Sequence, residues 1–445
     1  MATAGRALCI VTCIGSWSSC GSTEDTIGFN YPSDAGTSGQ GGAASSDSTT
    51  MDGGAGAIAG AAAAAGDASA SSNERTYPNL FNAVLGKTED EITRKLDANF
   101  AQLFHGDPTT ESIYVSVGPD QAYVWDPRQM DIRADGFANA LLVCVELDHR
   151  DEFDRLWRFA DAHLVPKTGP LRDYLRSRCD LSGGSCDATV SAESHFAATT
   201  ALWLAHGRWG SGGSLNYQTE AERLMAAVFR AEPGASTALG ELSGLVDAAR
   251  VLPLASPYAS DRNQTSSAAM AAAYFATWAE KSGDPRALEL SRHARAYLAN
   301  VSNASTGLVP DHAAIDGTLG TDDDVFSANS YPVPLAIAVD AVWFGASTWH
   351  VDESNRLLSF FSAPLAAKSY AVTYSLSGTA GGPLGDLLSL QAPISACAAA
   401  ATTAVRADFV QAAWDAKLNT GTSRKFGNLL HMLSSLLLSG RMRVY

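Results

Sequence analysis

Carboxyl side chains are the residues of this chain best able to do chemistry, because they give and take protons at ordinary pH. Three placements stand out. Asp135 precedes Gly136 at the start of an amphipathic stretch, Glu193 sits in Ser191-Ala192-Glu193 at the start of another, and Asp322-Asp323-Asp324 lies in a polar loop before Phe326. Each also has a purely structural reading. A carboxylate in the first turn of a helix is favoured by the helix dipole, and an acidic loop is ordinarily a solvated one. Other chemistries are poorly served. His195, His206 and His431 are scattered on helical stretches, and Ser191 lacks the His–Asp pattern that would make it a nucleophile. No His or Cys cluster has metal-ligand spacing, so no metal or other cofactor is expected.

The elements that must position these groups are helical. From residue 75 onward about twelve segments carry helical periodicity, and hardly any carry strand alternation. Their approximate cores are 89–104, 135–148, 151–164, 193–208, 217–230, 267–281, 286–300, 333–344, 351–365, 385–403, 406–417 and 425–439. Thr88-Glu89-Asp90-Glu91 is a capping-box start, Ser282-Gly283-Asp284-Pro285 a stop followed by a start, and Gly440 a helix-ending glycine. Helix pairs with short turns alternate with longer polar loops at 165–190, 231–265 and 303–332. Six such hairpins predict an all-α (α/α)6 barrel whose long loops gather at one end. A helical solenoid would need a repeat of fixed period, and none is visible.

Composition narrows the partners. The 445 residues are 46% apolar and 18% charged, with a formal charge of -16, which argues against nucleic acid and against anionic lipid surfaces. Arg6 and the apolar Ala7–Trp17 followed by Ser18, Ser19 and Cys20 read as an export signal, too short to span a membrane. Trp17-Ser18-Ser19-Cys20 is also similar to a bacterial lipobox, which would make Cys20 a lipidation site and the sole link to a membrane. Residues 21–74 are dominated by Gly, Ala, Ser, Thr and Asp and are expected to form a disordered tether. The expected organisation is therefore an export signal over 1–20, a tether over 21–74 and one barrel domain over 75–445, either lipid-anchored at the cell envelope or secreted. In an oxidising compartment Cys179 and Cys186 could close a disulfide around the loop DLSGGS, whereas Cys144 and Cys397 lie on apolar faces.

From Tyr77-Pro78-Asn79-Leu80-Phe81 onward the chain resembles a known family. The shared segments include Asp131–Leu164, Ala205-His206-Gly207-Arg208-Trp209-Gly210, Thr306-Gly307-Leu308-Val309-Pro310-Asp311 and Leu436–Tyr445, in order and spacing over nearly all of 77–445. The resemblance is to glycoside hydrolase family 8, and within it to the reducing-end xylose-releasing exo-oligoxylanases. It implies an (α/α)6 barrel, a β-1,4-linked xylo- or gluco-oligosaccharide ligand, and inverting hydrolysis. In that scheme a protonated carboxyl donates to the glycosidic oxygen while a carboxylate roughly 6.5–9.5 Å away activates water.

The departures fall at the reacting positions. The resemblance places the general acid at Asp135, where the family has Glu, so the side chain is shorter by one methylene. It places the general base at Asn329, an amide that cannot take a proton from water. Asp324, with Asp322 and Asp323, is the candidate replacement base. Ser191 and Glu193 fall where an Asp-Gly-Glu stretch helps hold the sugar. Ser177-Arg178 and Ala269-Met270 stand at Trp-His and Tyr-His pairs, and Pro332 and Ala336 at an Arg and an Asn. Residues facing helix neighbours keep the family pattern while those facing sugar mostly do not, which points to a repurposed cleft. Two readings follow: a hydrolase with a displaced base, or a catalytically inactive oligosaccharide- or partner-binding lipoprotein.

Overall fold

The computed structural model describes residues 75–230, 235–320 and 324–445. The export signal, Cys20, the tether, Asp322 and Asp323 lie outside them. Two helices, α1 (Leu80–Leu85) and α2 (Glu89–His105), precede five hairpins. These are α3 (Ala134–Leu147) with α4 (Arg150–Phe159), α5 (Ala192–Trp209) with α6 (Tyr217–Val228), and α7 (Ala272–Ser282) with α8 (Pro285–Val301). Then come α9 (Val333–Phe344) with α10 (Thr348–Ala367), α11 (Leu388–Ala396) with α12 (Arg406–Asp415), and the closing helix α13 (Phe426–Leu438). The first members touch in sequence, α3–α5–α7–α9–α11–α13, and α13 returns to α3, so six helices close a ring. Each hairpin's second member packs outside its partner, and α2 does so for α13. The fold is an (α/α)6 barrel.

Patterning explains which helices line the ring. A helix apolar on all sides must be surrounded, and in α13 every residue from Gly427 to Leu438 is buried. By contrast α4, RDEFDRLWRF, buries Phe153, Asp154, Leu156, Trp157 and Phe159 and turns its other charges outward. Trp157, Trp203, Trp278 and Trp343 are the largest fully buried side chains and fill the space between layers. One acid, Asp340, interrupts the apolar α9. Burial alone would push its carboxyl up, but the Arg295 guanidinium at 2.6 and 2.7 Å and His350 at 2.9 Å hold it down at about 2.

Local signals did their work at helix ends. Glu91 N donates to Thr88 Oγ1 at 3.2 Å and Thr88 N to Glu91 Oε2 at 2.9 Å, completing the capping box of α2. Thr88→Ala should therefore cost about 1 kcal/mol, read as a shift in the urea unfolding midpoint. Asp284 caps α8 ahead of Pro285, and Gly440, at φ 70°, ends α13. Two expected helices are shorter than their periodicity. Instead of starting at 267, α7 begins at Ala272, because Ser266 accepts from Ala269 N and folds 267–269 into a 3-10 turn. The stretch 385–403 yields only Leu388–Ala396, with Pro393 inside it and a 3-10 turn after it.

Strands are more numerous than alternation suggested. Among them β1 (Tyr114–Val117), β2 (Gln121–Asp126), β3 (Asp131–Arg133) and β4 (Arg178–Cys179) form a four-stranded antiparallel sheet. It feeds directly into α3: Ala134 N donates to Ser177 O at 2.9 Å.

Candidate functional site

The ring helices present their N-termini at one end. Lys425, the N-cap of α13, reaches Asp135 in the first turn of α3. Glu193, in the first turn of α5, accepts from Ser266 Oγ at 2.5 Å just before α7. Ser267 Oγ donates to Pro310 O at 2.6 Å, and Asp311 in turn caps the turn that leads into α9. Asp386, before α11, lies against Gly427 of α13, where an added Cβ would come within 2.6 Å of both its carboxylate oxygens. Of the positions that the sequence singled out, Asp135 and Glu193 belong to this polar collar.

Asp135 is not a free carboxyl. Lys425 Nζ donates to its two oxygens at 3.0 and 2.8 Å and lies 3.0 Å from Asp126 Oδ2. Lys425 is 4% exposed and Asp126 7%, so these contacts are shielded from water and strong. Burial alone would pull the lysine down, but Asp135 and Asp126 outweigh it and hold the ammonium above its ordinary range. Burial likewise opposes the Asp126 carboxylate, and Lys425 reverses that and lowers it. Gly136 makes the room: a Cβ there would stand 3.1 Å from Lys425 Cδ and 3.1 Å from Val124 Cγ1. The side chain of Asp135 remains 31% exposed, so the triad has one open face.

Asn329 sits in the turn before α9. Asp311 Oδ1 accepts from Ser327 N at 2.8 Å and Ser330 N at 3.1 Å, and both serine hydroxyls also donate to Asp311. The frame around Asn329 is thus rigid, but its own group is an amide. Asp324 is exposed and accepts from Leu376 N at 3.1 Å, an anchor for the strand pairing between Val325–Phe326 and Ala371–Ser375. Ser191 caps α5, and its hydroxyl donates to Glu193 Oε2 at 2.7 Å. Glu193 therefore ties α5 to Ser266 as well as lining the collar.

Positions expected to carry flat sugar platforms hold none. Ser177, Ala269 and Met270 are buried, while the Arg178 side chain is half-exposed beside Asp187 at 3.5 Å. Cys179 and Cys186 are disulfide-bonded and pin the hairpin that runs from Ser177 to Val190, on whose two sides α3 and α5 begin. His195 and His431 are buried in the core, whereas His206 is half-buried with Nδ1 2.8 Å from Ser211 Oγ. Leu175 N donates to His195 Nδ1 at 3.2 Å, His195 Nε2 lies 2.9 Å from Leu224 O, and burial pushes the ring down to about 4.

Sequence reasoning missed Lys425, Asp126 and Asp386. Signals existed for the first two. A lysine at the N-terminus of an apolar helix opposes the helix dipole and calls for a compensating anion. Asp126 falls on the inward-facing phase of QAYVWD, where Ala122 and Val124 are buried. Asp386 gave no such signal. Its carboxyl, which accepts from Asn419 Nδ2 at 2.6 Å, is pushed up by burial.

A closed ring of six helices with carboxyl groups collected at their N-termini is the architecture of the barrel-type glycan hydrolases. The chain belongs to glycosyl hydrolases family 8, whose model matches residues 126–440. It is 31% identical over 386 residues to the reducing-end xylose-releasing exo-oligoxylanase Rex8A of Paenibacillus barcinonensis, covering 83% of this chain and 97% of that one. The corresponding enzyme of Halalkalibacterium halodurans is 27% identical, covering 83% and 95%. A mutant of the Paenibacillus enzyme, solved with an arabinofuranosyl-xylotetraose, superposes with a TM-score of 0.77 at 28% identity, covering 84% of this chain and 98% of that chain.

Proposed function

We propose that this chain binds a β-1,4-linked xylo-oligosaccharide at the N-terminal end of the helix ring and does not hydrolyse it. The observation that carries this reading is the pairing of the buried Lys425 with Asp135, which commits both oxygens of the acid-position carboxyl to an ammonium. Asn329 supports it from the other side, since an amide cannot activate water. Loss of a general acid or base costs roughly 10²–10⁴-fold each, so losing both leaves little turnover. Ligand class is supported by the Paenibacillus and Halalkalibacterium relatives, which are named as exo-oligoxylanases. The sequence over 1–74 supports a place at the bacterial cell envelope, with Cys20 as the lipid anchor.

Calorimetric titration with xylotetraose and cellotetraose tests this. Saturable binding of the first, stronger than that of the second and weakened about tenfold or more by Glu193→Gln, is expected; no binding of either sugar would refute it. A second reading, retained hydrolysis, is favoured only by Asp386, whose carboxyl is pushed up by burial as a proton donor's would be. Xylose release by the natural chain that disappears in Asp386→Asn would establish that reading instead.

A further inference from the structure

We infer that Lys425 disarms Asp135 as a proton donor and fixes it as a hydrogen-bond acceptor for ligand hydroxyls. This rests on the sugar-binding reading above and assigns Lys425 a role that the family relationship does not supply. The geometry is specific. An ammonium has three N–H donors, and Lys425 Nζ has three carboxylate oxygens within 3.0 Å: Asp135 Oδ1, Asp135 Oδ2 and Asp126 Oδ2. A general acid must carry its proton on an oxygen aimed at the leaving group, yet both Asp135 oxygens already accept from Lys425. What Asp135 retains on its open face is lone pairs, which suit the hydroxyls of a sugar. A cation at the N-terminus of α13 also works against the helix dipole.

In the family reaction a water oxygen forms a bond to the anomeric carbon as the glycosidic C–O bond breaks. The water's proton passes to the base, and the departing sugar oxygen takes its proton from the acid. A dinitrophenyl leaving group departs as a stable anion and needs no acid. The test therefore uses three full-length proteins: Asn329→Asp, Asn329→Asp with Lys425→Met, and the same pair with Asp126→Asn, which removes the charge left behind by the lysine. Each is assayed on xylotriose and on 2,4-dinitrophenyl β-xylobioside.

The Asn329→Asp protein should turn over the dinitrophenyl glycoside but not xylotriose. Removing Lys425 should raise xylotriose hydrolysis at least about 100-fold, with a fall in rate at high pH that the aryl substrate does not show. Equal xylotriose rates with and without Lys425, beside turnover of the aryl glycoside, would overturn the inference while leaving the ligand intact. If no variant turns over either substrate and the natural chain fails to bind xylotetraose, the sugar-binding reading falls and the inference falls with it.

Discussion

Glu146→Gln should make the protein more stable than the natural chain at pH 8 by about 4 kcal/mol, and by less than about 1 kcal/mol at pH 5. Glu146 lies at the C-terminal end of α3, opposite the candidate site, and is 3% exposed. Its Oε2 accepts from Arg443 N at 3.0 Å and Tyr445 Oη at 2.9 Å, but Oε1 is buried without a partner. Burial, against those hydrogen bonds, raises its carboxyl to about 8 from the ordinary 4.5. Below about pH 4.5 the group is neutral in both folded and unfolded chains and costs nothing. Between 4.5 and 8 the unfolded chain ionises while the folded one does not, so stability falls by about 1.4 kcal/mol per pH unit. Urea unfolding at the two pH values checks this. A Glu146→Gln chain no more stable than the natural one at pH 8 would show that Glu146 is ionised where it sits.

The second large effect is at Lys425. Lys425→Met strands two carboxylates in a shielded site, and removing one partner from such a cluster costs about 3–5 kcal/mol. The pH dependence has a defined sign. Asp126, depressed in the folded state, contributes stability above its unfolded value near 3.8 and loses it as pH falls. Lys425, raised above its ordinary 10.5, contributes stability below that value and loses it as pH rises through the folded one. The loss in Lys425→Met should thus be full between about pH 5 and 10 and shrink in acid. Adding Asp126→Asn should recover much of it, because the two residues touch and their effects do not add. Thermal unfolding at pH 4 and pH 7 distinguishes this from a simple packing defect, which would cost the same at both.

The fold was largely legible because its information is local. Apolar surroundings mark α9 and α13 as inner helices, one-sided stripes such as that of α4 mark outer ones, and Thr88, Asp284 and Gly440 punctuate them. The sheet β1–β4 was not, since strands of two to six residues leave little periodicity and depend on partners elsewhere in the chain. Candidate carboxyls at Asp135 and Glu193 were visible as helix-start acids. What Asp135 pairs with was not, because Lys425 is 290 residues away and only closure of α13 onto α3 brings it there. A motif shows which side chain stands at a position. It cannot show that a neighbour has already taken its hydrogen bonds.

The most direct test of the account is a proton NMR time course of xylotetraose with the full-length protein. Saturation transferred from protein to sugar reports binding, and new anomeric doublets report hydrolysis in the same tube. Transfer to the xylose protons, displaced by excess xylotriose and accompanied by an unchanged anomeric region over a day, is the predicted result. Growth of xylose doublets in proportion to protein concentration would contradict it, and so would a sugar spectrum that receives no saturation at all.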